Sequence, residues 1–207
     1  MKKPFLVYIH GGTTFNKKRD YINYLKNKEI NLEETKNWSN DYLKEELNNF
    51  FQIICPRMPC KEKANYFEWK IIFEKYLNLL KKEKKPLLFL GYSLGSIFLV
   101  KYFSENKVNL KILSIHLVAP PFDKTNSIEE LSGGFKLKKD ISLLKKQIKN
   151  IYFYFSENDK IVPLYHKKRY EEQFPEVKFF VFKNKNGHFR VEKFPELIKI
   201  LKNNIYL

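Results

Sequence analysis

The run Leu87-Leu88-Phe89-Leu90-Gly91-Tyr92-Ser93-Leu94-Gly95-Ser96-Ile97-Phe98-Leu99-Val100 passes from a charge-free strand signature, through Gly-x-Ser-x-Gly, directly into an apolar helix signature. A strand that becomes a helix across one residue forces that residue into costly backbone angles and crowds the positions two before and two after it. Gly91 and Gly95 occupy those positions. Such a turn lifts the serine hydroxyl above the carboxyl end of the strand. It also aims the next amide back at the space over the serine, where a developing oxyanion would sit. Ser93 is therefore the candidate nucleophile and Leu94 a candidate oxyanion donor.

The rest of the chain supplies the sheet that this turn needs. Short apolar runs at Pro4 to His10, Phe51 to Cys55, Pro86 to Tyr92, Leu110 to Val118, Ile151 to Phe155 and Val177 to Phe182 read as strands, rich in β-branched and aromatic residues. Between them, Trp38 to Phe50, Tyr66 to Lys82, Ser93 to Phe103, Asp140 to Lys149, Pro163 to Gln173 and Phe194 to Asn203 read as helices, the second with Phe67, Ile71, Ile72 and Leu79 on its apolar face. This alternation predicts an α/β fold: a doubly wound, mainly parallel sheet of about six strands with helices on both faces. At 207 residues one domain, 1–207, is expected. Residues 120–139 lack periodicity and hold Pro120-Pro121 and Gly133-Gly134, which marks them as a lid or a small surface excursion.

A serine hydroxyl is a weak nucleophile until a base within hydrogen-bond reach takes its proton. The chain has four histidines. His10 closes the first strand, His116 lies inside the fourth, and His166 falls in a helix. His188 follows the last strand in Asn184-Lys185-Asn186-Gly187-His188-Phe189, a turn-forming loop at the same sheet edge as Ser93, and is the candidate base. A third group must accept the other ring N–H and steady the imidazolium. Asp159, directly after the fifth strand in Ser156-Glu157-Asn158-Asp159-Lys160-Ile161-Val162-Pro163, meets that need. Glu157 in the same loop and Asp123 after the fourth strand are its rivals. A second oxyanion N–H should come from His10-Gly11-Gly12-Thr13-Thr14, with Gly12 the first choice and Thr13 the second, while His10 itself reads as structural.

Other function classes fit less well. The net charge of +16 comes from lysines spread along the whole chain and only four arginines, without a nucleic-acid-binding motif, so solvated faces account for it and no nucleic-acid partner is expected. The longest uncharged stretch, Pro86 to Val100, is too short and too interrupted for a membrane span of about 20 residues. The apolar run Phe5 to Ile9 is too short for an export signal, so a cytoplasmic location is expected. Cys55 and Cys60, spaced C-x4-C without a second pair, read as free thiols rather than a zinc site or a disulfide.

From His-Gly-Gly through Gly-Tyr-Ser-Leu-Gly and Asp-Lys-Ile-Val-Pro to Gly-His-Phe, the sequence resembles the α/β-hydrolase superfamily. Its shortness is similar to that of the small serine hydrolases that include a retinoblastoma-binding member. The resemblance implies a minimal fold with little or no cap and a Ser93, Asp159, His188 triad. It also implies carboxylic ester, thioester or amide hydrolysis through an acyl-enzyme with no cofactor, and no metal is expected. Residues 120–139 offer few large apolar side chains to line a deep pocket, so small-molecule carboxylic esters of short to medium acyl length are the expected substrates. Thioester or amide hydrolysis, acyl transfer by the same residues, and service mainly as a binding partner are the alternatives, since this fold hosts many chemistries.

Overall fold

The computed structural model describes residues 3–32, 36–125 and 131–206. Six strands, β1 (Phe5–Ile9), β2 (Gln52–Ile54), β3 (Leu87–Tyr92), β4 (Ile112–Val118), β5 (Ile151–Ser156) and β6 (Lys178–Phe182), form one sheet in the order β2-β1-β3-β4-β5-β6. Every pairing is parallel. The first crossover runs outward from β1 to β2 and the next places β3 on the other side of β1. The chain thus reverses its winding between β1 and β3, the crevice where open α/β sheets bind ligands. The register brings Ile9 level with Gly91, so the loops that follow these two strands emerge side by side.

Central strands are buried and apolar on both faces, as a sheet covered by helices requires. β1, β3 and β5 read as almost continuous buried runs, whereas edge strand β6 keeps Lys178 and Val181 exposed. Helix α4 (Leu94–Glu105) continues from β3 and is buried from Leu94 to Ser104, which explains why its sequence is apolar all round. Its Phe98 and Phe103 pack edge-on against Phe73 of α3 (Tyr66–Glu83).

The six expected strands are all present, but the helices depart from expectation in three places. Trp38 to Phe50 is a π-helical turn (Trp38–Tyr42) running into the short α2 (Leu43–Leu47), with Asn37 Oδ1 accepting the Ser39 and Asn40 amides at its start. In α3 the predicted face is out of phase. Tyr66, Trp69, Phe73, Leu77 and Leu80 are buried, while Phe67, Ile71 and Leu79 face solvent. Trp69 decides this, because its ring packs on Phe98 and Phe135 while its Nε1 donates to Pro59 O at 2.8 Å. Finally, α1 (Lys18–Asn27), absent from the sequence reading, has no buried residue and no side-chain cap, so it left no core-facing stripe to detect. The other helices, α5 (Leu143–Gln147), α6 (Tyr165–Gln173) and α7 (Pro195–Asn203), fall inside their expected ranges.

Of the stretch 120–139, residues 126–130 lie outside the described residues. The remainder is tied to the body: Ser132 N donates to Thr14 Oγ1 at 2.9 Å, Gly133 O accepts from Tyr66 N, and Phe135 is fully buried against Tyr66 and Trp69. No helix among the described residues is long and apolar enough to cross a membrane.

Candidate active site

Ser93 sits between β3 and α4 at φ 52°, ψ −117°, a region that a residue with a Cβ rarely adopts. Strain of this kind costs about 1–3 kcal/mol and persists only where the surroundings over-determine it. Here the Ser93 amide donates to Val118 O at 2.8 Å and the Ser93 carbonyl accepts from Ser96 and Ile97, so both ends of the turn are fixed. The flanking glycines are obligatory on steric grounds. A Cβ at Gly91 would stand 2.6 Å from Ser96 Cα, and one at Gly95 would stand 2.2 Å from Ile9 O. The second contact shows α4 starting hard against the end of β1, which closes the crevice from below.

His188 occupies the apex of a tight turn after β6, with Phe189 N donating to Gly187 O at 2.9 Å and positive φ at Asn186, Gly187 and Phe189. Its Nδ1 lies 2.7 Å from Asp159 Oδ2. The other carboxylate oxygen, Oδ1, accepts the amides of Ile161 and Val162 at 2.9 Å each. Both residues are buried, Asp159 at 3% exposure. A carboxylate so placed can only accept, which puts the imidazole proton on Nδ1 and leaves Nε2 with its lone pair. Ser93 and His188 line one cavity of about 800 Å³, and among the described residues no hydrogen bond joins Ser93 Oγ to the ring. Catalytic hydrogen bonds are often long before substrate closes the site.

The rival acids are occupied elsewhere. Asp123 accepts from Thr125 N at 2.7 Å and stands beside Tyr165 and Arg169, while Glu157 is exposed. His10 also reaches the cavity, but its ring is saturated. Nδ1 meets Gly11 O at 2.6 Å, and Nε2 accepts from Met58 N at 3.1 Å. His116 is wholly buried among Ser114, Tyr154 and Asn204, where desolvation lowers its pKa to about 3. His166 is buried in α6 with Nδ1 accepting from Phe122 N.

The two donors proposed for the loop after β1 fare differently. The Thr13 amide is committed to Lys61 O at 2.8 Å, and Ala64 N returns to Thr13 O at 2.9 Å, so Thr13 is removed as an oxyanion donor. These are the bonds of a two-stranded bracket, and they use the N–H that the site would need. Among the described residues no hydrogen bond engages the amides of Gly12 or Leu94. Gly12 must be glycine because a Cβ there would stand 2.5 Å from Lys61 O and 3.2 Å from Leu94 Cδ2.

No family model matches the chain, and no curated protein matches it. Solved structures do. The ydeN gene product from B. subtilis superposes with a TM-score of 0.73 at 16% identity, over 99% of this chain and 100% of that one. MGS-M1, an α/β-hydrolase enzyme from a Medee basin deep-sea metagenome library, gives 0.64 at 18% identity over 100% and 86%. A Pyrococcus furiosus esterase, Pf2001, gives 0.62 at 15% over 99% and 82%. The chain has the α/β-hydrolase fold. Within that fold, Ser93, Asp159 and His188 follow β3, β5 and β6 and emerge at one sheet edge.

Two side chains that hold the site were invisible as such in the sequence. Tyr92 OH donates to His188 O at 2.5 Å, and its ring lies 5.3 Å from the imidazole. Trp38 Nε1 donates to Phe189 O at 3.1 Å and its amide to Val191 O at 3.0 Å, so the π-helical turn props the histidine loop from behind. The residues are more than 90 positions from their partners, and only the rarity of tryptophan in a polar segment hinted at a packing role.

Proposed function

We propose that the protein is a serine hydrolase of carboxylic esters, working through an acyl-enzyme. The observation that carries this reading is the 2.7 Å contact of His188 Nδ1 with Asp159 Oδ2, beside a serine held at positive φ in the same cavity. Ser93 Oγ attacks the acyl carbon as His188 Nε2 takes its proton, and Asp159 steadies the resulting imidazolium. The amides of Gly12 and Leu94 receive the oxyanion, Leu94 with the added field of the α4 N-terminus. His188 then returns its proton to the leaving alcohol. Water, deprotonated by the same nitrogen, releases the acid. The reaction needs no cofactor in this scheme.

Two supports bear on the substrate. Solved neighbours are named as esterases, and a cavity of about 800 Å³ lies within the range of small-molecule sites. Its apolar lining is limited to Tyr8, Met58, Tyr92 and Ile161, which suits short to medium acyl groups. A cytoplasmic setting suits Cys55 and Cys60, both free and exposed. The test is labelling with a fluorophosphonate, followed by hydrolysis of 4-nitrophenyl esters of graded length. Wild type should gain one adduct and turn over acetate to octanoate esters, and Ser93→Ala should do neither. An adduct that persists in Ser93→Ala would overturn the assignment.

A further inference from the structure

The cavity wall is charged with one sign. Arg57, Lys61 and Arg190 line it, and no aspartate or glutamate is among its lining residues. Glu62, the carboxylate next along the chain, is drawn off by Lys28. The adjoining cleft, which shares Asn37, Ser39, Tyr92 and Arg190 with the cavity, is lined by both signs of charge, Glu192 and Lys36. The four arginines of the chain divide in a telling way. Arg19 pairs with Asp20, and Arg169 with Asp123 and Glu172. Arg57 and Arg190, the two at the cavity, have no carboxylate partner among the described residues. Guanidinium is the group best matched to a planar or tetrahedral oxyanion, because its fork of N–H donors binds two oxygens at once.

The surroundings of each arginine place it with respect to the chemistry. Arg57 is in the β2 connection immediately before Met58, whose amide is tied to His10, and so lies on the oxyanion-loop side. Arg190 is two residues past His188, and its carbonyl is held by Asn186 Nδ2 at 2.8 Å. Two arginines without a carboxylate partner among the described residues, carried by different loops, therefore line the cavity that Ser93 and His188 also line.

We propose that the substrate carries an anionic group, a carboxylate or a phosphate, which Arg57 and Arg190 hold at the cavity mouth while its ester carbonyl lies over Ser93. This rests on the hydrolase reading above. The bond broken is still the acyl C–O bond, so the charged group is a recognition element and takes no part in the bond changes. The overall charge of +16 attracts any anion at long range, and the test has to separate that from local recognition.

The experiment compares butyrate esters of 3-hydroxybenzamide, 3-hydroxybenzoate and 3-hydroxyphenyl phosphate, which share an acyl group and a phenolic leaving oxygen. Phenyl butyrate and the monophenyl ester of glutaric acid repeat the comparison with the charge on the acyl side. At low salt at least one anionic ester should exceed its neutral partner in kcat/KM by about tenfold, the scale of a pair of charges a few ångströms apart. Arg57→Gln or Arg190→Gln should cut that ratio by about threefold or more, and Lys199→Gln, an exposed charge on α7, should leave it unchanged. The ester that responds tells carboxylate from phosphate. Equal rates for neutral and anionic esters, or an equal loss in Lys199→Gln, would overturn the proposal. Absence of Ser93-dependent turnover of every ester, neutral and anionic alike, would instead remove the hydrolase reading.

Discussion

Two histidines reach the same cavity, one from the loop after β1 and one from the turn after β6, and their hydrogen bonds differ atom by atom. His10 spends Nδ1 on Gly11 O and Nε2 on Met58 N. Trp69 packs edge-on against its ring, and burial with nearby Lys61 lowers its pKa below the usual histidine value. His188 spends only Nδ1, on Asp159, and its backbone rather than its second nitrogen is what Tyr92 grips. Position in a cavity therefore does not separate a base from a bracket. What sets the two apart is the second ring nitrogen, which in His10 accepts from Met58 N and in His188 has no hydrogen-bond partner among the described residues.

The largest effect expected from this contrast is on turnover. His188→Ala should lower kcat by about 10⁴ to 10⁶, since triad members act as a unit. His10→Gln should cost less than about a hundredfold and act through the oxyanion loop. Equal losses in the two variants, measured with 4-nitrophenyl butyrate, would break the distinction. Next in size is the acid. Asp159→Asn should cost about 10⁴ by presenting His188 with the wrong partner, while Asp123→Asn, whose carboxylate serves Thr125 and Tyr165, changes kcat little. The reverse ranking would move the acid to the loop after β4.

Stability should show the opposite order for the same pair of histidines. Removing His10 strands the Met58 amide and loosens the bracket that positions Gly12, at a cost of about 1–3 kcal/mol for a buried donor left unpaired. Removing His188 opens a loop that Trp38 and Tyr92 still hold by its backbone. Urea midpoints of His10→Ala and His188→Ala, compared with wild type, check this. A larger loss in the His188 variant would show that the two loops are not built as described.

Much of this is legible in the sequence, for identifiable reasons. Gly91 and Gly95 mark the turn because no other residue fits 2.2–2.6 Å from backbone, a purely local constraint that sequence carries in full. Strands buried on both faces announce themselves as charge-free runs. The buried face of α3 differs from the sequence pattern because Phe67, Ile71 and Leu79 have the right spacing but the wrong phase, and the phase is set by Trp69 meeting Phe98 and Phe135 across the fold. Thr13 was a reasonable donor until Lys61, nearly 50 residues away, proved to own its amide. Trp38 and Tyr92 escaped as props of the histidine turn for the same cause. Whatever depends on partners distant in sequence lies beyond a one-dimensional pattern.

A further effect concerns acid sensitivity and extends the contrast to every histidine whose pKa burial lowers. His10, His116 and His166 all have pKa values lowered by burial, His116 to about 3. A histidine with a folded-state pKa below its unfolded one is neutral in both states above pH 7 and contributes nothing there. As pH falls below about 6.5 the unfolded chain takes up the proton and the folded chain refuses it, so the native state loses ground until the folded pKa is reached. For fully buried His116 the loss approaches about 1.4 kcal/mol for each pH unit between 6 and 4. The half-buried His10 contributes less. Urea unfolding from pH 8 to pH 4 should therefore give parallel stability curves for wild type and His116→Gln above pH 7, with the wild-type curve falling more steeply below pH 6. Gln is the informative replacement because its amide can still bond Ser114, Tyr154 or Asn204, which leaves the lost ionisation as the chief difference. Curves that stay parallel down to pH 4 would mean that His116 takes up its proton in the folded state, and that its three polar neighbours accommodate the charge despite full burial.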